Sequence, residues 1–151
     1  MITDVDLQNL KSAIAASRSA RDKGNQPYGA ILVSADGEVL LTAENTEVWS
    51  KDCTAHAETN LIRQASSRFP DDTLGGATIY ASGEPCPMCS GSIYLSGVGR
   101  LVFALGQPRM DEIAGAGLQL RAADVLAHGT RQVIVEGPAL EDEAAEVLLG
   151  R

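Results

Sequence analysis

Residues 77–105, ATIYASGEPCPMCSGSIYLSGVGRLVFAL, hold two short apolar runs with a proline-led segment between them. Ala77–Ala81 reads as a short strand, bounded by Gly75-Gly76 and Gly83. Pro87–Ser96 reads as a helix, because the fixed φ of proline suits a first helical turn. Leu101–Leu105 reads as a second strand. Strand, helix and strand in that order imply a crossover, and crossovers join parallel strands.

The same alternation continues downstream. Ala122–Ala127 sits in a helix closed by Gly129, Gln132–Val135 reads as a strand, and Leu140–Leu149 as a last helix. Upstream the pattern differs. Thr3 and Asp6 resemble a capping box, Leu7, Leu10 and Ile14 follow at helical spacing, and Gly24 and Pro27 end that helix. Tyr28–Ser34 and Val39–Ala43 read as strands joined by a hairpin at Asp36-Gly37. Ala55–Ser67 reads as a helix with Thr54 as its N-cap, stopping before Pro70. The expected fold is α/β: a mixed five-stranded sheet with helices on both faces, parallel in its later half, in three layers. Strand order does not follow from the pattern.

With 151 residues and no repeat, low-complexity stretch or linker, the chain reads as one domain, residues 1–151. Its 44% apolar and 21% charged content is that of a globular protein. No apolar run approaches the roughly 20 residues of a membrane span. Met1–Asp6 lacks the basic start of a signal peptide, so a cytoplasmic location is expected. There the three cysteines stay reduced, and paired cysteines suggest a metal before a disulfide. The net charge of −8 points away from a nucleic-acid partner, which needs a basic surface to displace counterions.

The chemistry concentrates in two segments. His56-Ala57-Glu58 opens one helix, and Pro85-Cys86-Pro87-Met88-Cys89 opens the next. Cys86 and Cys89, three apart, share a helix face. His56 and Glu58, two apart, do not normally do so. At a helix N-terminus side chains lean back past the end, so a metal placed there meets His56 with Glu58 near its open position. Helix N-termini also favour thiolates. Three protein ligands leave a fourth tetrahedral position free, the mark of a catalytic zinc. Two other readings stand beside this one: a redox Cys-x-x-Cys, and a structural four-ligand site that recruits Cys53. The flanking prolines and the absence of a thioredoxin-like context count against the first.

On these residues the chain resembles the cytidine deaminase-like superfamily, in its guanine deaminase and tRNA adenosine deaminase branch. Pro27-Tyr28-Gly29-Ala30-Ile31-Leu32-Val33 is similar to the family's first-strand motif. Thr54–Glu58 and Glu84–Cys89 are similar to its two zinc motifs, and Gly99–Phe103 to the strand that follows. The resemblance implies one Zn2+ per chain, held by His56, Cys86 and Cys89, with Glu58 shuttling protons. It further implies that Asn45 holds a ring edge of the base, that the Ala57 backbone N–H meets a carbonyl of the substrate, and that Tyr28 lines the pocket. It makes a homodimer the expected assembly. The implied activity is hydrolytic deamination of a free nucleobase or similar heterocycle, with guanine going to xanthine and ammonia as the leading case. The alternatives are a tRNA wobble adenosine deaminase, and a catalytically silent zinc module for assembly. Cys53 stands where the family often has proline, and residues 106–112 match neither sub-branch. Trp49 could cover the site, and Asp111 and Glu112 could reach a substrate amine if the chain folds over it.

Overall fold

The computed structural model describes residues 1–151. In chain order the elements are α1 (Asp4–Asp22), β1 (Gly29–Val33), β2 (Val39–Glu44), α2 (Glu47–Ser50), α3 (Ala57–Arg68), α4 (Asp71–Gly76), β3 (Thr78–Gly83), α5 (Pro87–Ser96), β4 (Arg100–Leu105), α6 (Gln107–Ala114), α7 (Ala122–Ala127), β5 (Ile134–Glu136) and α8 (Glu141–Leu148). The five strands form one sheet in the order β2-β1-β3-β4-β5. β1 is antiparallel to both neighbours, whereas β3, β4 and β5 are parallel. This is the mixed α/β sheet expected from the alternation of elements.

Successive residues of a strand point to opposite faces, and here both faces are covered. Leu101 and Phe103 of β4 join one core with Leu61 of α3, Ile93 of α5 and Leu126 of α7. Val102 and Ala104 join the other with Leu10 and Ile14 of α1 and Val147 of α8. The sheet is therefore the middle of three layers. α1 lies directly on β1: a Cβ added at Gly29 would sit 2.5 Å from the Ser17 nitrogen and 2.6 Å from the Ala13 carbonyl oxygen. The β1–β2 turn follows Asp36-Gly37 as expected, with Gly37 at φ +88°.

α1 starts where Thr3 and Asp6 predict, with both capping-box bonds present. Asp6 does more than cap. It is buried, accepts from the Tyr80 hydroxyl at 2.6 Å, and receives a two-pronged Arg100 guanidinium at 2.7 and 3.0 Å. Arg100 also donates to Glu136. Thus α1, β3, β4 and β5 meet in one charged cluster. The Arg100 contact outweighs the cost of burial and holds the Asp6 carboxyl far below its usual range. A depressed carboxylate stabilises the fold fully above its unfolded pKa of about 3.9. That contribution drains away as the pH falls from there toward the folded value. Asp6→Ala is expected to cost about 2–3 kcal/mol at pH 7, because it leaves a partly buried guanidinium with Glu136 alone and breaks the capping box. Denaturant titrations at pH 7 and pH 3.5 check this: the gap between variant and wild type should narrow in acid. A constant gap would mean that Asp6 contributes without its charge.

Some boundaries differ from expectation. α3 begins at Ala57, not Ala55, and Thr54 is not its cap. The Asp52 carboxylate instead accepts from both the Thr54 N–H and its hydroxyl, at 2.8 and 2.7 Å. This local turn outcompetes the helix for those residues. The last strand spans Ile134–Glu136 rather than Gln132–Val135. α2, α4 and α6 are additional short helices that the sequence pattern does not mark.

Candidate active site

The late start of α3 decides the site. His56 is the N-cap of α3 and Cys86 the N-cap of α5, both with extended backbone. An N-cap side chain commonly folds over to accept from its own helix. Neither does so here. An imidazole and a thiol are poor capping groups, and both side chains turn instead into the gap between the helix ends. His56 Nδ1 lies 3.6 Å from Cys86 Sγ and 3.6 Å from Cys89 Sγ. Cys89, the third residue of α5, is fully buried. The expectation that His56 lies within the first turn is thereby corrected. It sits just outside the helix, which removes the difficulty of two residues two apart sharing a face with Glu58.

The three ligand atoms lie within 4.8 Å of one another. Tetrahedral zinc, with bonds of about 2.3 Å to sulfur and about 2.0–2.1 Å to nitrogen, sets N···S edges of roughly 3.6 Å. The donor set and its spacing fit that ion and leave one position open. The electrostatics fit as well. Its contact with Cys89, together with His56 nearby, holds the Cys86 thiol down to about 4. The Cys86 contact, together with burial, pushes Cys89 up, and the Cys86 contact also raises His56. Cys53 is exposed and stands outside this group, so no four-ligand site forms with it.

A small cleft of about 170 Å³ opens beside the three residues. Glu58, the second residue of α3, lines it and is buried, and burial pushes its carboxyl above the usual range. Asn45 and Tyr28, both named from sequence, line it too. Burial first, then the charges of Glu58, Glu47 and Asp111, raise the Tyr28 phenol to about 12, so it keeps its proton. Ala57 opens α3 and is buried, and its N–H finds no acceptor within the protein.

Two carboxylates of this cleft, Glu84 and Glu47, have no role that the sequence alone assigns. Glu84 accepts from Arg121 Nε at 2.8 and 2.9 Å and from the Gln107 and Ala122 N–H groups at 2.9 and 3.1 Å. It ties the starts of α6 and α7 to the loop that carries Cys86. Glu47 lies 3.3 Å from His56 Nε2 and accepts from Asn45 at 2.7 Å. Both depend on partners far away or on a four-residue helix, which no local motif announces.

Other residues take lesser places. Trp49 is exposed on α2; its ring N–H donates to the Lys23 carbonyl and Lys23 lies over the ring, so it braces the end of α1 and does not line the cleft. Asp111 borders an adjoining cleft together with Tyr28 and Met110, and accepts from Gln119, while Glu112 is exposed. The hydroxyls of Ser90, Ser92 and Ser96 donate to backbone carbonyls, as helix packing predicts.

Residues 4–105 match the family model described as the cytidine and deoxycytidylate deaminase zinc-binding region. A probable cytosine deaminase of Schizosaccharomyces pombe is 35% identical over 95% of this chain and 90% of its own length. A tRNA-specific adenosine deaminase of Bacillus subtilis is 39% identical over 66% of this chain and 62% of its own. The guanine deaminase structure from Nitrosomonas europaea superposes with a TM-score of 0.83 over 99% of this chain and 85% of its own, at 22% identity, which speaks for the fold. The motifs with His56, Glu58, Cys86 and Cys89 all fall inside the matched span. By that match, and by its likeness to deaminases along nearly its whole length, the chain belongs to the zinc-binding cytidine and deoxycytidylate deaminase family of hydrolytic enzymes.

Proposed function

We propose that residues 1–151 form one catalytic domain that holds one zinc ion on His56, Cys86 and Cys89 and hydrolyses the exocyclic amine of a free nucleobase or similar heterocycle. The observation that carries this reading is a buried carboxylate, Glu58, lining a cleft beside a His/Cys/Cys group of zinc-like spacing. Guanine, giving xanthine and ammonia, is the first substrate to test. Cytosine comes next, given the 35%-identical relative.

When bound, the zinc ion supplies Lewis acidity that brings the deprotonation of water close to neutral pH. Glu58 takes a proton from the attacking water. A C–O bond forms at the ring carbon bearing the amine, and the C–N bond then breaks. Of the two water protons, Glu58 passes one to the ring nitrogen, and the other leaves with the amine as ammonia. The Asn45 amide and the free Ala57 N–H hold the ring edge in the plane that faces Glu58. Tyr28, protonated at neutral pH, closes the wall of the cleft and remains a donor.

Charge favours a small neutral substrate. The residues lining the cleft include Glu47, Glu58 and Glu84 and no lysine or arginine, and the chain carries −8 overall. Such walls repel phosphate, and a polynucleotide needs the opposite. Transfer-RNA adenosine remains the second reading because of the 39%-identical relative. Ammonia release from zinc-loaded protein separates them, using guanine, cytosine, adenine, isocytosine, aminotriazines, the matching nucleosides and a tRNA anticodon stem-loop. Turnover of a free base is expected. Turnover of the stem-loop alone would overturn the charge argument, and silence throughout would favour a zinc-binding assembly module.

A further inference from the structure

We propose that Glu47 is a positioning residue for this reaction: one carboxylate fixes both the His56 ring and the Asn45 amide. The proposal rests on the reading of His56 as a zinc ligand and Asn45 as a substrate contact.

Glu47 Oε1 stands between the two. Asn45 Nδ2 donates to it at 2.7 Å, and His56 Nε2 lies 3.3 Å away. The Glu47 backbone N–H returns a bond to Asn45 Oδ1 at 3.0 Å. The Asn45 amide is therefore held at both ends by one residue. Its carbonyl oxygen and one N–H are engaged, and a single N–H remains for whatever enters the cleft. Asn45 then presents a donor, which suits a carbonyl oxygen or an unprotonated ring nitrogen.

The His56 ring has the same problem of orientation. Either nitrogen of a neutral imidazole can carry the proton, and the partner of one nitrogen decides which. A carboxylate facing Nε2 keeps the proton there. That leaves the lone pair on Nδ1, the nitrogen 3.6 Å from both thiols. Carboxylates set behind ligating histidines in this way fix the ring and raise its basicity.

The loop that carries Glu47 is itself braced. Thr46 N–H donates to the Ala55 carbonyl at 3.0 Å, and Asp52 N–H to the Glu47 carbonyl at 3.2 Å. The Asn60 side chain donates to the Glu44 carbonyl and to Thr46 Oγ1 at 3.0 Å each. Asn60 belongs to α3, so the helix that follows His56 also holds the loop that bears Glu47.

The test measures zinc affinity by chelator competition, and kcat and KM at saturating zinc, for wild type, Glu47→Ala, Glu47→Gln and His56→Ala. Circular dichroism confirms folding; the Glu47 side chain is part-exposed, and glutamine preserves its size. Glu47→Ala is expected to weaken zinc binding about 10–100-fold. It should also raise KM by a larger factor than it lowers kcat, since a released Asn45 amide loses its fixed orientation. Glu47→Gln keeps an acceptor oxygen without the charge and should fall between alanine and wild type. Wild-type zinc affinity and KM in both Glu47 variants would overturn the proposal. If His56→Ala loses zinc in the same experiment, the metal assignment survives that failure. If His56→Ala also keeps wild-type affinity, it is the metal assignment that fails.

Discussion

Glu58→Gln is expected to lower turnover by about 10²–10⁴-fold while the protein keeps its zinc. Glutamine has nearly the same shape as glutamate, and it can occupy the buried position at the start of α3 without disturbing His56. It cannot accept a proton from water and return it. Both halves of the reaction need that transfer, so the loss should appear in kcat. The neutral amide has no charge to desolvate, whereas burial already works against the Glu58 carboxylate. The melting temperature should therefore hold or rise. Metal analysis, a thermal melt and the ammonia assay together check this. A variant with near-wild-type turnover and full zinc would remove Glu58 from the chemistry.

Cys89→Ala is the second large effect. Cys89 is fully buried, with its Sγ 3.6 Å from His56 Nδ1 and 3.3 Å from the Thr59 hydroxyl. Alanine removes only one heavy atom, so packing should suffer little. The site, however, falls from three donors to two. Bound zinc should be lost on dialysis, and turnover should fall to background. A ligand that binds only the folded chain stabilises it in proportion to the logarithm of its concentration over Kd. Added zinc should accordingly raise the melting temperature of the wild type and leave that of Cys89→Ala unchanged. An equal shift in both would show that Cys89 is not a ligand.

These two expectations draw on residues visible in the sequence, and the reason is local. Helix starts, prolines and the three-residue spacing of Cys86 and Cys89 are short-range features. So is the alternation that predicted a mixed sheet, because a strand buried on both faces and a crossover helix each leave a nearby signature. The capping box of Thr3 and Asp6 was equally readable, since its two bonds close within one turn.

Other features needed the folded chain. The residue pattern made Thr54 a cap, but Asp52 claims it, so α3 begins two residues later and His56 falls outside the helix. Competition between two local hydrogen-bond patterns is settled by the packing around both. Strand order was undetermined because hydrophobic alternation does not say which edge a crossover reaches. The links from Glu84 to Arg121 and from Asp6 to Arg100 span 37 and 94 residues. The sequence by itself determined the fold class and marked His56, Glu58, Cys86 and Cys89 at two helix starts, since each follows from residue types at short spacing. Only the tertiary structure decided that Glu47 faces His56 and Asn45, that Glu84 gathers two helix starts, and that the cleft walls are acidic. Those depend on which distant side chains the sheet order brings together, and nothing local encodes that.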